Sequence, residues 1–208
     1  MSQPPSPLIL ASASPRRREL LAALGVTFEV VPSEVDETTD ERDPARVTEL
    51  LAVRKAEVVA GLASTPSGAV VIGSDTVVVL DGHILGKPRD ASEARGMLGL
   101  LRAREHEVFS GVAVASGGRV LSDHARTAVH MRAYSDEAIE AFIATGSPFD
   151  KAGGYAIQDE AFAPVERFEG CRCNVVGLPL ATLRGLLANL GVRTARPAVE
   201  CPVCGADA

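Results

Sequence analysis

Ser14-Pro15-Arg16-Arg17-Arg18 sets three arginines ahead of Leu20, Leu21 and Leu24, whose spacing is helical. Serine as N-cap followed by proline is a helix-start signal. The free N–H groups and dipole of such a first turn already present about half a positive charge, so cations there are repelled unless an anion lies between them. With an anion in place, guanidinium and backbone N–H groups act on it together. Three successive helical residues fan over roughly 200°, so Arg16 and Arg17 are the candidate ligands and Arg18 is expected in solvent.

A second chemical signal is Asp75, which interrupts the apolar run Val70 to Leu80. A carboxylate buried there costs several kcal/mol, roughly, unless it meets a metal, a base or a polar cleft; hydrogen bonding at a bend beside Gly73 is the structural alternative. The acidic segment Ser33 to Glu41 adds Glu34, Asp36 and Glu37, which could help hold a divalent ion. Several cations, a lone strand carboxylate and an acidic segment suit chemistry on a polyphosphate. Cations neutralise the non-bridging oxygens, a metal spreads the charge, and a carboxylate orients or deprotonates water. Four negative charges on a triphosphate make Mg²⁺ or Mn²⁺ the expected cofactor.

Other chemistries lack support. No Gly-x-x-x-x-Gly-Lys-Ser/Thr loop and no Gly-x-Ser-x-Gly elbow occurs in the 208 residues. The formal net charge of −6 argues against a broad surface for nucleic acid or anionic membrane. Met1 to Pro7 has neither a basic start nor an apolar run, and a cytoplasmic location is expected. The four cysteines fall as Cys171-Arg-Cys173 and Cys201-Pro-Val-Cys204. The second pair has the form of half a zinc knuckle, but the first has the wrong spacing for its partner. Reduced thiols on a dispensable tail are the expectation.

Positioning these groups requires an α/β chain with a mixed sheet and one full-sized core. A strand over Leu8–Ser12 leads into the Ser14-capped helix, which Gly25 ends. A strand at Thr27–Val31 follows, then a long helix from the cap Asp43-Pro44 to about Ala60. In that helix Val47, Leu50, Leu51 and Val58 define the buried stripe, with Arg54 near its centre and Lys55 on its flank. Asp81-Gly82 turns the strand Ala69–Leu80 into His83–Leu85, a register that carries Thr76 opposite Lys87. A helix from Ser92 to Leu101, a hairpin around Ser116-Gly-Gly118, a helix capped by Ser135, the loop Asp150 to Gln158, a last strand and a helix over Leu178–Leu190 complete the chain. Residues 1–7 are expected to be disordered, 8–192 to form one domain and 193–208 to be a flexible tail.

Ser12-Ala-Ser-Pro-Arg-Arg17, Ser33-Glu-Val-Asp-Glu37, Ala52-Val-Arg-Lys-Ala56, Gly73-Ser-Asp-Thr-Val77, Gly86-Lys-Pro88, His106-Glu-Val-Phe-Ser-Gly111, Asp150 to Gln158 and Asn174-Val-Val-Gly-Leu-Pro179 occur in this order. Together they resemble the Maf family of nucleoside triphosphate pyrophosphatases, from about Leu8 to Val192. The resemblance implies two α/β lobes on a twisted mixed sheet with a central cleft, similar to inosine triphosphate pyrophosphatase. It also implies a cytoplasmic, often dimeric, metal-dependent enzyme that releases pyrophosphate. Asp75 matches the family's catalytic acceptor; Arg16, Thr76 and Gln158 match positions linked to base choice; Arg17, Glu37, Lys55 and Lys87 match polar residues of the cleft. The family thus favours Lys55 where periodicity favours Arg54. Pro-Arg-Arg, Asp-Thr and Ile-Gln look like the branch that takes dTTP and UTP. The alternative that the family implies is a nucleotide-binding regulator of septum formation without turnover.

Overall fold

The computed structural model describes residues 6–205. Its centre is a seven-stranded mixed sheet in the order β2-β1-β3-β5-β6-β7, with β4 on β3. The strands are β1 (Leu8–Leu10), β2 (Phe28–Val30), β3 (Val70–Leu80), β4 (His83–Leu85), β5 (Glu105–Ser116), β6 (Arg119–Met131) and β7 (Val165–Glu169). β1 runs parallel to β2 and β3, and the other pairs are antiparallel. The two hairpins form where the turn residues demand: Asp81 and Gly82 take φ of 51° and 77°, and Gly117 and Gly118 take 57° and 78°, the left-handed pair that suits the strands' twist.

One edge of β3 is divided. β5 pairs with β3 without a break from Val71 to Val79, so β1, at Val70–Ile72, and β4, at Val78–Leu80, must share the opposite edge. Between them Gly73 to Val77 has no strand neighbour on that side, and there the sheet opens. The gap also divides the core on one face. Leu8, Leu10, Val70, Ile72 and Val114 pack with α1 (Pro15–Ala22) and α6 (Leu180–Asn189). Val78, Leu80, Val108 and Val129 pack with α3 (Ala91–Leu101) and α4 (Asp136–Ala144). These are the two lobes expected from sequence, joined by the long strands.

Helix α2 (Pro44–Ala60) covers the opposite face. Asp43 caps it, accepting from the Ala45 and Arg46 N–H groups at 2.9 and 3.1 Å. Its buried stripe is Val47, Thr48, Leu51, Ala52, Lys55, Ala56 and Val59. Leu50 and Val58 are exposed, so the expected stripe is rotated: Lys55 is in it and Arg54 beside it. The reason is close packing of small residues. A Cβ on Gly73 would lie 2.1 Å from the Ala52 carbonyl oxygen, and one on Gly111 would lie 2.3 Å from that of Thr48. Backbone meets backbone, and alanine rather than leucine fits the seam.

Several other expectations change. The cap of α3 is Asp90, which accepts from the Glu93 N–H at 2.9 Å, two residues before the expected start. A short helix α5 (Arg172–Val176) precedes α6. The β3–β4 ladder ends at Val78 and Leu85, so Thr76 does not pair with Lys87 and faces Ser110 on β5 instead. The segment expected to be a flexible tail returns to the body: the Ala195 N–H donates to the Leu24 carbonyl at 3.0 Å, and Cys201 and Cys204 are buried beside Leu180 and Leu183. At the other end, residues 1–5 lie outside the described residues, and Pro7 already accepts from the Val70 N–H at 2.8 Å. Among the described residues no helix is long and apolar enough to cross a membrane.

Candidate active site

The gap on β3 opens into a cavity of about 560 Å³ lined by Arg16, Arg17, Glu37, Lys55, Asp75, Thr76, Lys87 and Gln158 among others. The residues matched to the family's catalytic, base-choice and cleft positions all border this one space, as does Glu37 of the acidic segment. Alternation along β3 divides their positions. Gly73 and Asp75 face α2, whereas Ser74 and Thr76 face the α1 and α5 side.

On the α2 face Lys55 Nζ donates to Asp75 Oδ1 at 2.6 Å and meets Glu37 Oε1 at 2.6 Å. The Lys55 and Asp75 side chains are 9% and 11% exposed, against 51% for Glu37, so the ammonium bridges a buried carboxylate and one at the cavity mouth. Among the described residues no other side chain hydrogen-bonds to Asp75, which leaves acceptor capacity on its second oxygen. Burial raises the pKa of Glu37, but the Lys55 hydrogen bond and charge, with Lys87 and Arg17 behind them, outweigh this and hold it below the ordinary carboxylate value.

The acidic segment is less uniform than its composition suggests. Asp36 turns its carboxylate onto its own loop, accepting from the Thr38 N–H at 2.9 Å and hydroxyl at 2.7 Å. Neither Asp36 nor Glu34 borders the cavity; Glu37 alone of the three does. Arg54 serves this loop, donating to the Asp36 and Thr38 carbonyls at 3.1 and 2.8 Å. It is a positioning residue for Glu37, a role that sequence reading misses because the loop it holds is some eighteen residues away.

On the other face the α1 arginines separate as helix geometry requires. Ser14 caps the helix through the Arg17 N–H, and Arg18 is exposed. Arg17 is tethered in several directions: Nε to the Gly177 carbonyl at 2.9 Å, Nη1 to Ser12 Oγ at 3.3 Å and Nη2 to Thr76 Oγ1 at 3.2 Å. Burial lowers its pKa, opposed by the Asp75 charge, with Arg16 lowering it further and Glu37 raising it. Thr76 is oriented in turn by Ser110 at 2.8 Å. Arg16 swings to the cavity rim, where it pairs with Asp150 at 2.8 Å.

Asp150 also holds Lys151 at 2.5 Å, so the loop before Tyr155 brings a further cation to the rim. Lys151 was not singled out from sequence, although it stands in the Asp150 to Gln158 motif. Gly153, at φ 68°, lets this loop pass over Val78 with its N–H on the Gly86 carbonyl at 3.0 Å. Gln158 lies beyond it, half-buried on the cavity wall near Tyr155, and its amide makes no hydrogen bond with any described residue. Lys87 is exposed at the mouth with no ion-pair partner among the described residues.

Glu37 and Asp75 converge on one cation, the Lys55 ammonium, and offer only hard oxygen donors. That donor set fits Mg²⁺ or Mn²⁺ shared with phosphate oxygens and water, and does not fit a thiophilic metal.

Comparison with known proteins identifies the family. A dTTP/UTP pyrophosphatase of Thermomicrobium roseum is 53% identical over 95% of this chain and 91% of its own length. A protein of the same name from Pelotomaculum thermopropionicum is 47% identical over 88% of this chain and 96% of its own. Among solved structures, a nucleoside-triphosphatase / dITP/XTP pyrophosphatase from Mycobacterium abscessus aligns with a TM-score of 0.40 at 18% identity, over 61% of this chain and 75% of that one. The model of the Maf family, described as Maf-like protein, matches residues 7–190. The chain belongs to the Maf family.

Proposed function

We propose that this protein hydrolyses dTTP and UTP to the nucleoside monophosphate and pyrophosphate, with attack by water at the α-phosphorus. The observation that carries the reading is the Lys55-held Asp75 carboxylate on the floor of a cleft rimmed by Arg16, Arg17, Lys87 and Lys151. A site that merely sensed an anion without metal would gain nothing from a carboxylate at its floor. The names of the relatives point to the same reaction.

In this reading Arg17 and the first turn of α1 receive phosphate oxygens, and Arg16, Lys87 and Lys151 draw charge toward the departing pyrophosphate. Asp75 accepts a hydrogen bond from water and takes its proton as the new O–P bond forms. The bond from the α-phosphorus to the bridging oxygen breaks, and both electrons leave with the pyrophosphate. Lys55 balances the buried carboxylate and keeps it in line with the gap. Glu37 and Asp75 would hold the divalent cation, which when bound neutralises phosphate charge. Gln158 reads the base. A cytoplasmic location belongs to this reading.

The test is pyrophosphate release by purified protein with each nucleoside triphosphate in Mg²⁺ or Mn²⁺. Release from dTTP and UTP, abolished by EDTA and restored by excess metal, is the expected result. Tight nucleotide binding without release would overturn the enzymatic reading, and full activity after exhaustive chelation would remove the metal and the role of Glu37.

A further inference from the structure

All the cysteines of the chain meet at one point. Cys171 and Cys173 come from the start of α5, Cys201 and Cys204 from the segment near the C-terminus, and all are buried. Their four Sγ atoms lie within 4.8 Å of one another, with Cys171 at 3.6 Å from Cys201 and 3.2 Å from Cys204. Zinc holds four thiolates tetrahedrally at about 2.3 Å, which sets sulfur–sulfur separations near ~3.8 Å. A disulfide requires about 2.05 Å. Both measured separations are closer to the zinc value than to the disulfide one.

The Asn174 N–H donates to Cys171 Sγ at 3.4 Å. Metal-bound sulfurs are oriented by such outer hydrogen bonds. Cys201-Pro-Val-Cys204-Gly205 folds as a knuckle closed by the Gly205 N–H on the Cys201 carbonyl at 2.8 Å. A Cβ at Gly205 would come within 3.0 Å of that carbonyl oxygen. The Arg196 guanidinium also donates to the Gly205 carbonyl, while Val203 is exposed and Val199 only partly buried.

We propose that Cys171, Cys173, Cys201 and Cys204 form a structural zinc site that fastens residues 199–205 to α5 and α6. Thiolate ligands select zinc over the hard cation of the nucleotide cleft. Four sulfurs fill the tetrahedron and leave no open position for catalysis. The cysteines bind as thiolates, so loading releases their protons to solvent. The site reaches beyond the family-matched residues, which end at 190, and it has a functional neighbour. α5 runs from the cluster to Gly177, whose carbonyl holds Arg17, so the ion braces one wall of the cleft from behind. The expected spacing objection fails because Cys171 caps α5 while Cys173 sits in its first turn, and this geometry turns a Cys-x-Cys pair toward one point.

The experiment uses tag-free full-length protein purified under reducing conditions, analysed for bound metal, then stripped and titrated with Co²⁺. Zinc in one-to-one stoichiometry and the intense thiolate-to-cobalt absorption of a tetrahedral tetrathiolate centre are expected. Cobalt held only by the oxygen ligands of the nucleotide cleft would lack that absorption. Cys204→Ser should lose the spectrum and melt several degrees lower. Should this variant fail to fold, the wild-type protein still decides, because zinc must protect all its thiols from alkylation and a strong chelator must expose them. Reduced protein that binds no zinc and gives no thiolate absorption with Co²⁺, or protein whose intact mass shows the cysteines joined as disulfides, overturns the proposal.

Discussion

Gly111 stands opposite Asp75 on the neighbouring strand, and its missing side chain is what lets Lys55 reach that carboxylate. A Cβ there would lie 2.3 Å from backbone atoms of Thr48, on the helix that carries Lys55. Gly111→Ala must therefore lift α2 from the sheet, at a cost of about 1–3 kcal/mol as overpacking. Turnover should fall by tenfold or more, because the displaced ammonium leaves the buried carboxylate uncompensated. Urea unfolding and steady-state kinetics on the same preparation check both effects; wild-type activity in a destabilised variant would uncouple the glycine from the site.

Asp75→Asn removes the proton acceptor while keeping the shape. A positioned base contributes about 100- to 10,000-fold, so kcat should fall by at least the smaller factor. Nucleotide binding should survive or tighten, since a negative charge near the triphosphate has gone. Calorimetric affinity beside kcat tests the two halves of this expectation, and near-normal turnover would remove Asp75 from the chemistry.

Arg54→Ala should act without touching substrate. Its guanidinium holds the Asp36 and Thr38 carbonyls and so fixes the loop presenting Glu37. The expected result is a KM for metal-bound nucleotide raised several-fold, with a smaller change in kcat and a melting temperature close to wild type. Arg54→Lys, which can still donate to a carbonyl, should recover part of the loss.

The readable part of this chain was the part written in adjacent residues. Asp43-Pro44 and Asp81-Gly82 announce a helix and a turn through local backbone chemistry, and both are where expected. Asp75 stood out because an apolar strand gives a carboxylate no local partner. What failed depended on residues far apart. Lys55 lost to Arg54 on periodicity because that reading weighs Leu50 and Val58, whereas the seam is made by Ala52 and Ala56 against Gly73 and by Thr48 against Gly111, on two distant strands. The cysteine pairs are thirty residues apart, and spacing rules built on paired knuckles cannot anticipate a pair presented by a helix cap. Lys151 went unnoticed because its place at the rim depends on Asp150 and Arg16.

His106 gives the fold an acid limit. Burial, with a contribution from the charge of His130, pushes its pKa from 6.5 to about 4, and its Nε2 lies 2.7 Å from the Tyr155 hydroxyl. Because the unfolded chain binds this proton more readily, the stability from the neutral ring is complete above about pH 6.5 and drains away as pH falls toward 4. The depression is equivalent to about 3 kcal/mol as an upper figure. Denaturant unfolding from pH 7 to 4 should show a shallower loss in His106→Phe than in wild type, and equal slopes would mean that the histidine does not set the limit.

Gln158 is where base selectivity is expected to reside. Its amide makes no hydrogen bond with any described residue, yet it borders the cavity. The amide carbonyl can accept from pyrimidine N3–H while its NH₂ donates to O4. Uracil and thymine both present that pair, whereas cytosine inverts it, and a purine's second ring sets the corresponding edge farther from the sugar and out of register with Gln158. A mismatched polar group left buried costs about 1–3 kcal/mol, which corresponds to about tenfold or more in kcat/KM. The expected order is dTTP and UTP first, CTP weak, ATP and GTP least. Gln158→Ala should flatten this order by slowing dTTP and UTP, not by accelerating the others. A variant that keeps the wild-type ranking, or a wild-type preference for a modified purine triphosphate, would assign base choice to other groups while leaving pyrophosphate release to Asp75 and Lys55.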